Sequence, residues 1–436
     1  MDRVLLDAPC SGTGVLAGVT GIGSVQGYMM LVGDPIPMPG RLYYRGIDLR
    51  EIVGAHIDEE IFGFEEVSYL LLLGKLPTRA ELAAWGEALS ITRELPDGFD
   101  RDILLAAPSS SVMNMLSRAV EALYAYDSAP DDTSLENMVR QSIELISRVP
   151  VIVAHAFSIK RNTFDGEPLK LYTPQTDKSL AENFLHMLRS GDHYSPEEAR
   201  LLDLLLTIHA EHGGGTSSAF ACRLLASAGS DVYGAAASDI NVVKALNVGG
   251  ACLLVKRMFE DICENVPDMD DEAALSDYLN LILDGEAGDG SGRIYGLGHA
   301  VYTQSDPRAL LLKQAASDLA EKTGFSEKFR RMEAVERVGV RVITDRQTLR
   351  KPICANVDMI SGLVFEMLGI PEDLFEPLFC VAHIASWCAH RIEEVLNACG
   401  LSDAFEYVVS GEQFKESKPE PDIYLHALDL LGLPAN

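Results

Sequence analysis

Between Leu82 and Gly213 the chain runs through one amphipathic segment after another, with apolar residues returning every three or four positions. Val112, Met115, Leu116, Ala119 and Val120 make one such stripe, and Leu135, Met138, Val139, Ile143 and Ile146 make another. A stripe of that period buries one side of a helix and cannot line one face of a strand, where side chains alternate with period two. Few stretches anywhere alternate as strands do, and no repeat of solenoid length is visible. The expected fold class is therefore mainly α. With 436 residues there is room for two packed domains.

Several helix ends are legible. Glu65 to Leu73 reads as a helix closed by Gly74, with Pro77 just beyond. Thr78 suits the cap of the next helix, and Asp131-Asp132-Thr133-Ser134 offers caps and acid before Leu135. Ser195-Pro196-Glu197-Glu198 opens a further helix with Leu201, Leu204, Leu205 and Ile208 on its buried side. His209 and His212, three apart, are expected to share a face at its C-terminal end, with Gly213 to Gly215 as the stop. No third ligand accompanies that His-x-x-His pair, so zinc is not expected. Pro39 to Asp48 reads as a short extended segment and turn, and Asp268 to Glu272 as a solvated loop and helix start.

Composition excludes some classes. A net charge of -29 leaves no basic footprint for nucleic acid, and it makes any anionic substrate depend on local cations. No apolar run has the length of a membrane span, and no basic-then-apolar leader is seen at the N-terminus. The eight cysteines lack CxxC pairing, which fits buried thiols in a reducing cytoplasm.

Three stretches carry the chemistry. Gly292-Arg293-Ile294-Tyr295-Gly296-Leu297-Gly298-His299-Ala300-Val301-Tyr302 places a histidine, a candidate acid or base, in a loop where backbone can approach a ligand. Nine positions on, Arg308 follows an Asp-Pro and could fork onto a carboxylate. Thr207 to Gly215 holds His209 and His212. Asn356-Val357-Asp358-Met359-Ile360-Ser361-Gly362-Leu363 sets an acid among apolar neighbours, where its pKa is open to perturbation.

In their order and spacing these three stretches resemble the citrate synthase family, whose members condense acetyl-CoA with oxaloacetate, over about Gly12 to Val395. The reading Gly-Leu-Gly-His-Ala-Val-Tyr is similar to the short bacterial branch. The resemblance implies a homodimer with no permanently bound cofactor. Oxaloacetate and an acetyl- or propionyl-CoA thioester would be the co-substrates. It implies a large helical domain (19–248), a small one (249–369), a return helix (370–397), and an active site between domains that close on the substrate. It puts Asp358 at the base, His299 at the histidine that polarises oxaloacetate, and His212 and Arg308 on the substrate.

The sequence departs from the family in three places. The third catalytic histidine of Lys-Gly-Pro-x-His-Gly-Gly-Ala-Asn falls on Val248, within Lys244-Ala245-Leu246-Asn247-Val248-Gly249-Gly250-Ala251-Cys252. A substrate-binding arginine is replaced by His383, and the segment carrying the arginine donated by a partner subunit is missing. Residues 1–18 resemble a motif of RNA cytosine-5 methyltransferases, at Asp7-Ala8-Pro9-Cys10. Residues 398–436 resemble part of a haloacid dehalogenase-like phosphatase, with Lys418 on the phosphate-contacting lysine. The methyltransferase cofactor loop and the phosphatase Asp-x-Asp-x-Thr motif are both missing, so neither activity is expected. The expected function is the family's condensation or, alternatively, that of an impaired or dead member that keeps its fold and some ligand binding. A chimeric chain with no selected function is a third reading.

Overall fold

The computed structural model describes residues 20–31, 34–245, 250–347 and 352–398. Within them the chain forms β1 (Gly23–Leu31), β2 (Asp34–Tyr44) and β3 (Ile47–Asp48). The helices come next as α1 (Leu49–Glu59), α2 (Phe64–Leu73), α3 (Arg79–Ile91), α4 (Val112–Ala122), α5 (Leu135–Asp165), α6 (Leu180–Leu188), α7 (Pro196–Ile208) and α8 (Ser217–Ser227). After these come α9 (Val232–Val243), α10 (Ala251–Asn265), α11 (Glu272–Asp284), α12 (Pro307–Thr323), α13 (Ser326–Arg346), α14 (Asp358–Met367) and α15 (Phe375–Ala398). The mainly α expectation holds. The N-terminal and C-terminal stretches with foreign resemblances, together with Val248, lie outside the described residues.

The caps form where the sequence offers them. Thr78 and Glu81 make a reciprocal capping box on α3, and Ser195 and Glu198 make one on α7 with Pro196 in its first turn. Ser134 accepts from the Asn137 N–H at the head of α5. Asp271 caps α11, so the acidic run before it is a helix start. One helix runs further than its early stripe predicts: α5 continues through Pro150 to Asp165. Pro150 is buried among apolar neighbours there, and such packing outweighs the missing N–H. Helix α5 is also the one described helix long and apolar enough to cross a membrane, but 78% of its most apolar window is buried in the protein.

A correction concerns α7. It ends at Ile208, with His209 as its C-cap, so His209 and His212 do not share a helix face; His212 lies in the loop beyond. The cause is Tyr44 at the end of β2. Its hydroxyl sits 3.1 Å from the carbonyl oxygens of both Thr207 and Ile208, and its oxygen accepts from the Glu211 N–H at 3.4 Å. The last carbonyls of α7 are thus satisfied by a side chain instead of another turn.

The antiparallel sheet β1-β2-β3 was legible only as an extended segment and turn. It lies over the loop that precedes α12. A side chain at Gly27 would collide with the Val301 carbonyl, 2.2 Å from where its Cβ would stand. Gly40 N–H donates to Ser305 Oγ at 3.2 Å, and Gln304 Nε2 donates to the Pro37 carbonyl at 2.9 Å.

Packing sorts the helices. Helix α15 touches α2, α4, α5, α7, α8 and α9, and residues such as Leu378, Val381, Ala382, Ile384, Ala385 and Trp387 are buried around its whole circumference. A helix apolar on every side is one buried on every side. Helices α10 to α14 pack mainly on one another, while α12 also touches α1, α7 and β2. The loop before α12 therefore enters where the two sets of helices meet.

Tyr44→Phe removes the donor to Thr207 and Ile208 and leaves two buried carbonyls with one partner fewer. We expect a loss of about 1–3 kcal/mol in urea unfolding. An unchanged midpoint would show that these carbonyls find other partners.

Candidate active site

His299 sits at the end of the glycine-rich loop, and its protonation state is set by backbone. The N–H groups of Val301 and Tyr302 both donate to its Nδ1 at 3.0 Å. That nitrogen is an acceptor, so the neutral ring carries its proton on Nε2. Burial pushes the imidazole down to about 4, with Arg308 adding to the shift and Asp306 opposing it. The ring stacks on Tyr302 at 4.4 Å between centroids and meets His212 edge-on at 5.1 Å. His212 is itself buried and held well below the ordinary histidine value, first by burial and then by Arg308, His299, His383 and His209. Near neutral pH these rings are uncharged hydrogen-bonding groups.

Asp306 ties the site together. It caps α12 through Oδ1, which accepts from the Arg308 N–H at 3.0 Å. Its two oxygens also take Arg308 Nε at 3.1 Å and Nη2 at 2.8 Å. The guanidinium fork of Arg308 is thus filled in part by the protein's own carboxylate. Oδ2 accepts a further bond, from the Val357 N–H at 3.1 Å. Burial opposes the charge on Asp306, but Arg308 outweighs it and holds the carboxyl below its usual range.

Asn356 makes the second tie. Its amide nitrogen donates to the Gly298 carbonyl at 2.9 Å, and its amide oxygen accepts from the Asp358 N–H at 3.0 Å. The backbone joins too, through Gly298 N–H to Cys354 O at 2.8 Å and Asn356 N–H to Gly296 O at 2.9 Å. Gly296 has φ +80°, and a Cβ there would meet the Met359 backbone at 3.0 Å, so only glycine suits this crossing. One side chain thus links the residue before His299 to Asp358. Asp358 opens α14 and is partly buried; burial raises its pKa, against a thiol bond from Cys252 and the field of Arg308.

Comparison with known proteins bears on the family and the fold. The family model for the citrate synthase C-terminal domain matches residues 12–400. This chain belongs to the citrate synthase family. Citrate synthase of Deinococcus radiodurans is 35% identical over 333 residues, 76% of this chain and 81% of its own. The 2-methylcitrate synthase 2 of Corynebacterium glutamicum is 29% identical over 392 residues, 89% of this chain and 93% of its own. The crystal structure of citrate synthase from Pyrobaculum aerophilum aligns at a TM-score of 0.68 and 27% identity over 87% of each chain.

Of the site residues named from sequence, His212, His299, Arg308 and Asp358 come together around Asp306 and Asn356. His383, on α15, lies within electrostatic reach of Arg308 and Glu211. Its Nδ1 donates to the Phe379 carbonyl at 3.1 Å and its ring stacks on Phe379. Burial pushes it down to about 4, so in the free site it is a neutral ring and no substitute for a guanidinium.

Four supporting residues were not singled out from sequence: Asp306, Asn356, Tyr302 and Glu211. Buried Glu211 accepts from the Gly213 N–H at 2.7 Å and pairs with His390 Nε2 at 3.2 Å, fixing the turn that carries His212. A polar residue set directly before a Pro-opened helix was the one pattern that could have flagged Asp306.

Asp306→Ala removes a cap and strands a buried guanidinium. We expect about 3–5 kcal/mol of destabilisation by chemical unfolding, with Asp306→Asn costing less. The folded carboxyl lies below its unfolded value near 4, so this stabilisation is present above about pH 4 and fades as pH falls through the lower folded value. A wild-type minus Asp306→Asn difference that stays flat down to about pH 2 would contradict it.

Proposed function

We propose that the chain condenses an acyl-CoA, acetyl or propionyl, with oxaloacetate, giving citrate or 2-methylcitrate and free coenzyme A. The reading is supported by one observation above the rest: His212, His299, Arg308 and Asp358 share a site bound together by Asp306 and Asn356. Asp358 takes a proton from the α-carbon of the acyl group, a methyl in acetyl-CoA and a methylene in propionyl-CoA. The enolate carbon then attacks the ketone carbon of oxaloacetate, and the Nε2–H of neutral His299 hydrogen-bonds and protonates the ketone oxygen. Arg308 and His212 hold the dicarboxylate, and His383 stands where the family has a further arginine. Water hydrolyses the product thioester, releasing the thiol. No metal has a step in this scheme.

In this proposal residues 19–248 and 249–369 form domains that close on the substrates, 370–397 return to the large domain, and the working unit is a cytoplasmic homodimer. The chemistry calls for a donor at the enolate oxygen, and Val248 has none to give. The rate should therefore lie roughly two to three orders of magnitude below that of a member with histidine there. A second reading, a dimer that binds ligand without turnover, is favoured by Val248 together with the neutral His383.

Thiol release from acetyl-CoA or propionyl-CoA plus oxaloacetate decides between them. A slow, oxaloacetate-dependent release that rises in Val248→His, and further with His383→Arg, is the expected result. Oxaloacetate binding by calorimetry with no release in any variant would leave the second reading.

Asp358→Asn should abolish release while raising the melting temperature at pH 8. The folded carboxyl has the higher pKa, so its favourable contribution exists below about pH 4 and is lost as pH rises through the folded value. At pH 8 the buried charge is a cost that asparagine removes. A lower melting temperature would show that the charge is compensated in the free protein.

A further inference from the structure

The geometry points to Cys252 as a positioning residue for Asp358: its thiol holds carboxylate Oδ1 so that Oδ2 is left to face the acyl α-carbon. The inference rests on the proposed role of Asp358 as base. Cys252 lies in the first turn of α10, and its Sγ–H donates to Asp358 Oδ1 at 3.0 Å. The two helices are pressed together at this point. A Cβ on Gly362 of α14 would stand 3.0 Å from the Cys252 carbonyl, and that closeness lets a side chain as short as cysteine reach the carboxylate. The Asp358 backbone is fixed independently, through its N–H to Asn356 Oδ1. Backbone and one carboxylate oxygen are therefore both held, while Oδ2 has no hydrogen bond among the described residues.

The kind of donor matters. A thiol is a weak hydrogen-bond donor, so it orients a carboxylate while stabilising the charge less than a hydroxyl would. A stronger donor would favour the ionised form, draw the proton affinity down and weaken the base. With no donor the carboxylate becomes more basic and is free to rotate. The pairing acts on the thiol as well. Burial raises the Cys252 pKa, and the neighbouring carboxylate raises it further, because a second negative charge beside Asp358 is unfavourable. Burial keeps Cys252 a thiol, and the charge on Asp358 lowers its reactivity further.

Two measurements on the full chain test this, and the first needs no turnover. The protein is treated with iodoacetamide at pH 8, and alkylation of the Cys252 peptide is followed by mass spectrometry in wild type and Asp358→Asn. Removing the charge should speed labelling at Cys252 roughly tenfold or more while leaving Cys354 and Cys380 unchanged. Equal rates at Cys252 would overturn the pairing. The second is the pH dependence of thiol release. Cys252→Ala should lower kcat roughly tenfold or more, with little change in KM for oxaloacetate, and move the acidic limb to higher pH. Cys252→Ser should keep most of the rate and move that limb to lower pH. A merely structural cysteine would alter rate without moving the limb in opposite directions, and that outcome, or an unaltered profile in both variants, overturns the proposal. If no variant releases thiol, the condensation reading fails, and the labelling comparison still decides whether the thiol and the carboxylate are paired.

Discussion

The site depends on one buried carboxylate. Asp306 caps a helix, holds the Nε–Nη2 edge of a buried guanidinium and accepts the Val357 N–H next to Asp358. Each of these bonds alone is worth about 1–3 kcal/mol when charge-assisted. Their joint effect is geometric, because the same two oxygens fix the head of α12 relative to the head of α14. Buried Arg308 would be costly without a counter-ion, and buried Asp306 costly without Arg308. Each member of the pair therefore depends on the other for its burial.

Around this pair the histidine rings are uncharged, although the proposed substrate is a dianion. His299 is neutral by burial and also by construction, since protonating Nδ1 would break two backbone bonds. His209 is pushed down to about 3 by burial, with Nδ1 donating to Leu205 O, and His383 is neutral for a similar reason on α15. Part of the Arg308 charge is already engaged by Asp306. The described residues thus supply many hydrogen bonds and little net positive charge, in a chain whose total charge is -29. Such a site distinguishes shape and hydrogen-bonding pattern well, but it attracts an anion only at short range.

Local chemistry was legible and cross-chain chemistry was not. Thr78, Ser134 and Ser195 could be read as caps because a cap is satisfied within three residues. The end of α7 was misplaced because it is decided by Tyr44, which lies 163 positions before Thr207 in sequence. Pro150 lies inside α5, where tertiary burial outweighs its poor helix propensity. At the site, His299, Arg308 and Asp358 stood out because their residue types announce acid, cation and base. Asp306 and Asn356 look like ordinary capping and turn residues. Their roles come from which strand, loop and helix end the fold sets beside them, and one chain read along its length does not contain that.

Asp358 shows two of these effects in competition. At the head of α14 the helix dipole favours its ionised form by roughly 0.3–1 kcal/mol, and Arg308 acts in the same direction. Burial acts against both and prevails, so the carboxyl lies above its ordinary value. A base in this position must be ionised enough to accept a proton and unhappy enough as an anion to want one. Stronger solvation would satisfy the first condition and lose the second; deeper burial would do the reverse. The fold sets the balance with burial of the carboxyl and with one weak thiol bond on Oδ1. In the proposed mechanism the base is thus tuned by residues that the reaction does not consume, separately from the donor that Val248 would fail to supply.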